Sequence, residues 1–344
     1  MNRIVDGNNG ARRRLQDRFA QWIISAGGVG VLLSALTILL YLVYEVVPLF
    51  EAAELDSEGA SIPLVTETAP LLMTVEERGE VAMVIQRNGR AIFFALHDGS
   101  ILRDSTLDVS PPITAIARDS APGKLFAVAA GDGNIAVYRR GYRITYPDGS
   151  EVVTPRLDRE YSIPVPVADG DQVRALAISE NRGRLMVAAE AVSGRLSVVS
   201  APRTDASTLT EVVTELPDPG EPAYLFIERN QQLLVRIDKS GQYQLIAIRA
   251  GTAHSPTVIE RGRLFSAGER PVAFATLQGG HAFVVSGSGG DIVQFSPAVD
   301  ETGSATLVRM RHFSLDGAVA DHLAEDPSGR AFTALGDDGT VGLF

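Results

Sequence analysis

Between Trp22 and Tyr44 the chain reads "WIISAGGVGVLLSALTILLYLVY", 23 residues without a charge. A helix rises about 1.5 Å per residue, so this run crosses a hydrocarbon core of about 30 Å with a little tilt to spare. The apolar core of a signal peptide is shorter, typically about 7–15 residues. "EAAEL" has small residues, but it follows Pro48-Leu49-Phe50 rather than a compact small-x-small cleavage site. The pattern predicts a retained transmembrane helix over 22–47, a basic segment over 1–21 and a linker over 48–69.

Past residue 70 the long apolar run gives way to short β-rich runs broken by Asp-Gly and Ser-Gly pairs. In order they read "RAIFFALHDGSILR", "GKLFAVAAGDGNIAVYRR", "GRLMVAAEAVSGRLSVVS", "NQQLLVRIDKSGQYQLIAI", "GGHAFVVSGSGGDIVQFS" and "GRAFTALGDDGTVGLF". Each predicts a strand, a tight turn and a second strand. Hairpin turns of types I′ and II′ need positive φ, which glycine adopts without steric cost. Several units carry another strand upstream, such as "ITAIARD" or "VRALAISE". With Gly99, Gly133, Gly194, Gly241, Gly290 and Gly339 as turn markers, the gaps are 34, 61, 47, 49 and 49 residues. An additional hairpin, "RITYPDGSEVVT" at 143–154, accounts for the long gap.

A period of about 40–50 residues with up to four short strands is that of β-propeller blades. The expected fold is therefore all-β: a divergent WD40-like β-propeller of six to eight blades over 70–344, behind a single N-terminal transmembrane helix. A β-sandwich is the main structural alternative, but it does not predict one motif recurring at this period. The Trp-Asp pair of WD40 blades is absent, Gly-His occurs once, at 280–281, rather than blade by blade, and the one Trp lies in the apolar run. The sequence reaches "GTVGLF" just as a blade's last strand forms, so either residues 60–80 supply a closing strand or the ring is incomplete.

Charge adds orientation. Arg12, Arg13, Arg14 and Arg18 precede the apolar run, and no Lys or Arg follows it until Arg78. The positive-inside rule puts the N-terminus in the cytoplasm and everything after Phe50 outside it, with Trp22, Tyr41 and Tyr44 at the interfaces. Ala26, Gly30 and Ser34 recur every four residues, a small-residue face that lets a second helix approach closely. Of the net −11, residues 1–50 carry +2 and the remainder −13. A body that acidic repels phosphodiester backbones, which excludes nucleic acid as a partner. The absence of Cys removes disulfides, thiolate metal sites and Cys nucleophiles.

Candidate chemistry is thin. "GDGNIA" fits the dinucleotide fingerprint G-x-G-x-x-A at Gly131, Gly133 and Ala136, but a strand pattern follows where a helix is required. "APGKLF" lacks the rest of a P-loop. His97, His254, His281, His312 and His322 show no zinc-ligand spacing, although His312 and His322 could meet in space. Asp98, Asp132 and Asp338 stand before glycines, with Asp337 one residue earlier, where hairpins favour Asp, and no EF-hand loop occurs. No catalytic residue, cofactor or metal is expected.

"RRRLQDRFAQWIISAGGVGVLL" running into "YLVYEVVPLFEAAEL", with an acidic β-rich repeat region behind it, resembles the start of the PstC permease subunits of phosphate-specific ABC transporters. The likeness is to their long form, which has a large periplasmic insert after the first membrane helix. It implies a second permease subunit, a periplasmic phosphate-binding protein and a cytoplasmic ATPase as partners. The later membrane helices and the ATPase-docking loop have no counterpart here, so no pore residue carries over. The resemblance makes the chain an N-terminal part of such a permease, with the propeller as a docking or regulatory module rather than an enzyme. Two other classes stay open: a membrane-anchored propeller scaffold for envelope proteins, and an anchored propeller enzyme.

Overall fold

The computed structural model describes residues 9–46, 70–76, 78–119, 124–149, 152–164, 171–202, 210–216, 220–248, 255–299, 304–315, 317–326 and 329–344. The chain divides into two units, Met1–Ala60 and Ser61–Phe344. In the first, one helix, α1 (Asn9–Val46), runs for 38 residues. It begins ahead of the apolar run because "ARRRLQDRFAQ" contains no strong helix breaker. It ends two residues before Pro48, whose ring disfavours helical backbone in the residue ahead of it. Within α1, Arg18–Val46 is apolar enough to cross a membrane, with a mean hydropathy of 2.3, and its side chains are exposed.

The second unit is a six-bladed β-propeller. Blade 1 comprises β1 (Pro70–Val75), β2 (Val81–Gln86), β3 (Arg90–Ala95) and β4 (Ile101–Thr106). Blade 2 comprises β5 (Ile113–Arg118), β6 (Leu125–Ala130), β7 (Asn134–Thr145) and β8 (Val152–Pro164). Blade 3 holds β9 (Val173–Asn181), β10 (Arg184–Ala191), β11 (Arg195–Pro202) and β12 (Thr210–Glu215). Blade 4 holds β13 (Pro222–Ile227), β14 (Leu233–Asp238), β15 (Gln242–Ala247) and β16 (Thr257–Arg263). Blade 5 is β17 (Pro271–Leu277), β18 (Ala282–Gly287), β19 (Asp291–Val299) and β20 (Ala305–Ser314). Blade 6 is β21 (Ala320–Glu325), β22 (Phe332–Gly336) and β23 (Val341–Leu343). Each sheet is antiparallel and ordered as the chain runs.

Burial explains the sequence pattern. The second strands β2, β6, β14 and β18 are buried at every position, because neighbouring blades cover both faces. Such strands read as mostly apolar runs, with Arg236 and Asp238 in β14 the charged exceptions. The outer strands β4, β12 and β16 alternate in exposure, as half-covered strands do. Shared apolar clusters join blades 1 and 2, 2 and 3, 3 and 4, 4 and 5, and 5 and 6. Among the described residues no such cluster joins blade 6 to blade 1; Ala82, Val84 and Phe94 form a small one of their own on blade 1.

Two expectations are corrected. Gly99 does not share a blade position with the other markers. It turns β3 into β4, whereas Gly133, Gly194, Gly241, Gly290 and Gly339 each turn a second strand into a third. The equivalent residue of blade 1 is Gly89 (φ 85°), 44 residues before Gly133. A latch marks the equivalence: the N–H of Leu107, Leu216 and Leu264, just past the outer strand, donates to the carbonyl of Gly89, Gly194 and Gly241 at 2.8, 3.4 and 3.0 Å. Residues 143–154 are not an additional hairpin; β7 and β8 are lengthened and stay paired from Asn134–Pro164 out to Thr145–Val152. Of residues 60–80, offered above for a closing strand, 60–69 lie outside the described residues, and 70–75 pair with β2. Residues 70–75 are the inner strand of blade 1, and blade 6 has three strands among the described residues.

Candidate functional site: the central channel

The six inner strands β1, β5, β9, β13, β17 and β21 converge on a central cavity of about 440 Å³. Each carries a β-bulge one residue after its start, where the pairing register slips. The residues passed over are Leu71, Thr114, Arg174, Ala223, Val272 and Asp321. A bulge bends the strand and re-aims its extra side chain. These six positions therefore ring one end of the channel, where side-chain identity is free to vary from blade to blade.

The channel wall is largely apolar, with Leu72, Ala117, Leu176, Ile178, Phe274 and Leu323 on it. Near the C-terminal ends of β5, β17 and β21 a polar group interrupts it. Arg118 Nη2 donates to Glu325 Oε2 at 3.1 Å, and Thr276 Oγ1 donates to the same oxygen at 2.8 Å. The Glu325 side chain is 5% exposed, and its Oε1 is buried without a hydrogen-bond partner. Burial outweighs Thr276 and Arg118 and pushes its carboxyl up to about 7. Nothing in "HLAEDP" singles this residue out, since its partner lies 207 residues away.

The shift has a stability consequence. The folded-state pKa lies above the unfolded value, so the folded chain holds this proton more tightly. Glu325 therefore adds stability that is complete below the unfolded pKa of about 4.3 and is lost as pH rises toward the folded value. Urea unfolding of wild type and Glu325→Gln between pH 5 and pH 8 checks this. Wild type should lose up to about 3 kcal/mol relative to the variant across that range. A constant difference would show that the carboxyl stays ionised throughout.

At the other end, where β5, β9, β13 and β17 begin, the channel opens into a bowl of about 600 Å³. Arg87, Arg174, Lys239 and Arg270 stand on its wall, with Glu221 as the one acidic residue lining it. Lys239 is ion-paired to Glu221, and Arg87 Nη1 donates to the Ile113 carbonyl at 3.2 Å. Sequence reasoning missed this group, because the four cations are scattered over four blades and a bulge places one of them.

The residues singled out from the sequence fall elsewhere. Gly99, Gly133, Gly194, Gly241, Gly290 and Gly339 all have positive φ, between 73° and 90°, in turns of the propeller. Asp98, Asp132 and Asp338 use Oδ1 to accept the N–H two residues on, from Ser100, Asn134 and Thr340 at 2.9, 3.0 and 2.8 Å. Asp337 Oδ1 accepts from the Val319 N–H at 3.2 Å. These carboxylates organise turns, and among the described residues no group of three His, Cys, Asp or Glu side chains could hold a metal ion. Gly131, Gly133 and Ala136 belong to the β6–β7 hairpin. His312 Nε2 lies 2.8 Å from Asp291 Oδ1, while His322 is on β21 of the next blade. His254 lies outside the described residues, as do Ala121, Pro122 and Gly123 of "APGKLF". On α1, Ala26, Gly30 and Ser34 are exposed, and nothing lies within 4 Å of a Cβ added at Gly30. Arg18 is exposed at the head of the apolar stretch, while the side chains of Arg12, Arg13 and Arg14 lie outside the described residues.

No family model and no curated protein matches the sequence. Solved structures do match in fold. The β-propeller domain of Cps50 (Swd1) from Myceliophteria thermophila is similar with a TM-score of 0.50 and 14% identity, covering 79% of this chain and 81% of that one. A chain of the Mitotic Checkpoint Complex is similar with a TM-score of 0.50 and 10% identity, covering 79% of this chain and 72% of its own length. At these identities the likeness is one of fold, that of a β-propeller.

Proposed function

We propose that this chain is a membrane-anchored β-propeller scaffold, a binding module that presents protein-docking surfaces next to a bilayer. The observation that carries the reading is the pairing of one exposed apolar helix, Arg18–Val46, with a propeller whose central bowl collects charge. A propeller offers broad rigid faces, because its backbone hydrogen bonds are closed within blades and its loops are tied to strand ends. The four arginines before the apolar stretch favour a cytoplasmic N-terminus and a periplasmic propeller at the inner membrane. One of the similar structures is a chain within a complex; from it the proposal takes only that a propeller of this fold is found in a protein assembly.

The kinship to phosphate permeases is a second proposal, resting on the N-terminal residues. It would give the Ala26–Gly30–Ser34 face an occupant, a helix of a second permease subunit. The small residues along that face support close helix contact.

Photocrosslinking in native membranes tests the scaffold reading. A photoreactive residue at Thr114 or Val272, uncharged positions lining the bowl, should give discrete protein adducts, and one at the outer-strand position Val213 should not. Carbonate-washed membranes should retain the chain at full mass. A soluble, shortened chain, or adducts from no propeller position, would overturn it.

A further inference from the structure

We propose that the cationic bowl at the mouth of the channel docks an acidic peptide segment of a partner protein, an inference that rests on the scaffold reading and names the partner's chemistry. Residues 51–344 carry −13, yet four cations and a single carboxylate line this bowl. A local positive field in an acidic molecule steers anionic partners to one place and repels them elsewhere.

The bowl is assembled from separate blades. Arg87 comes from the turn between β2 and β3, Arg174 from the bulge of β9, Lys239 from the turn after β14, and Arg270 from the residue before β17. Their backbone is fixed: the Lys239 N–H donates to the Glu221 carbonyl and the Ser288 N–H to the Arg270 carbonyl, both at 2.9 Å. Arg174 and Arg270 are exposed, and neither makes a salt bridge among the described residues. Two guanidinium forks are thus available for bidentate pairing with carboxylates. Ser288 Oγ accepts from the Arg270 N–H at 3.1 Å, which leaves its own O–H to donate. Tyr224 lines the bowl and stacks on Phe274 of the channel wall, with ring centroids 5.2 Å apart.

A single small oxyanion can meet one or two of these cations. A peptide with several carboxylates can run along all four and lay its stem on Tyr224. Blade 6 sets the direction. It carries Asp321 at the bulge and Asp337 in the turn, whereas the cations come from blades 1, 3, 4 and 5.

The test uses the full chain in an uncharged detergent and fluorescein-labelled hexaglutamate as the probe. Wild type should bind it, more weakly as salt is raised, and should not bind a labelled Gly-Ser peptide. Arg174→Ala/Arg270→Ala should weaken binding by at least about tenfold. Arg309→Ala/Arg311→Ala, on exposed β20, should bind as wild type. Thermal melting of both variants at the wild-type temperature establishes that the fold is retained. Equal binding by wild type and the bowl variant overturns the proposal, as does no binding by wild type. Displacement by citrate at concentrations matching hexaglutamate would make the bowl a small-anion site and overturn the peptide assignment. Photocrosslinks that persist in the bowl variant leave the scaffold standing and remove the bowl from it. Peptide binding without any adduct in membranes does the reverse.

Discussion

Replacing Glu190 with Gln should destabilise the propeller by about 3–5 kcal/mol. Glu190 on β10 and Arg236 on β14 are 0% and 1% exposed, a charge pair sealed between blades 3 and 4. Arg236 Nε reaches both carboxylate oxygens, at 2.8 and 2.9 Å, and its Nη2 donates to the Gly220 carbonyl at 3.0 Å. Burial drives the Glu190 carboxyl up, and the adjoining guanidinium opposes that. Around the pair lies the apolar cluster of Met186, Ala188, Leu225 and Leu234. The amide keeps the shape of the side chain but removes the carboxylate that the guanidinium pairs with, so much of the desolvation cost of Arg236 is no longer offset even with Asp238 nearby. At about 2–4 °C per kcal/mol for a domain of this size, the melting temperature should fall by about 10 °C. The double variant Glu190→Leu/Arg236→Met removes both charges and should recover most of the loss, because a buried ion pair roughly breaks even against apolar residues of similar volume. Urea titrations of wild type, Glu190→Leu, Arg236→Met and the double variant close a double-mutant cycle, with Glu190→Gln measured beside them. A Glu190→Gln variant within about 1 kcal/mol of wild type would mean that water reaches the pair.

The hairpins were legible because positive-φ turns select glycine, and five of the six markers occupy equivalent positions. The phase of blade 1 was misread for the same reason. Both Gly89 and Gly99 have positive φ, and "DGS" at 98–100 resembles the other turns more than "NGR" at 88–90 does. Asn88-Gly89 is nevertheless the stronger hairpin signal and could have settled the phase. The bulges left no trace, since Leu, Thr, Arg, Ala, Val and Asp occupy the six positions and share no chemistry. The buried pair did leave one. "LMVAAEAV" and "LLVRID" each hold a charge inside a run that reads as buried on both faces. A charge in such a run needs a partner in a neighbouring blade. The bowl was out of reach, because it depends on which strand starts meet around the axis, and that follows from ring closure rather than from local pattern.

Phe283→Ala should cost about 3–5 kcal/mol and loosen the channel wall with it. Phe283, on β18, is 0% exposed and touches three other rings: Phe226 at 5.0 Å, Phe274 at 5.4 Å and Phe295 at 5.6 Å between centroids. Phe226 belongs to β13 and the other two to blade 5, so the ring stitches blade 4 to blade 5. Phe274 in turn stacks on Tyr224 at the channel. Truncation removes the middle of this stack. The closed antiparallel sheets on either side hold their spacing, so the void is only partly filled and the loss exceeds simple transfer of the ring to water. Phe283→Leu keeps most of the volume and should lose less. A functional readout separates stability from the site: if the bowl docks acidic peptide, hexaglutamate binding should weaken in Phe283→Ala at temperatures where the variant is still folded. The wall behind Tyr224 is then free to move, although no cation has been touched. Unchanged affinity in a folded but destabilised Phe283→Ala would mean that the cationic arc holds its geometry through the turn hydrogen bonds alone.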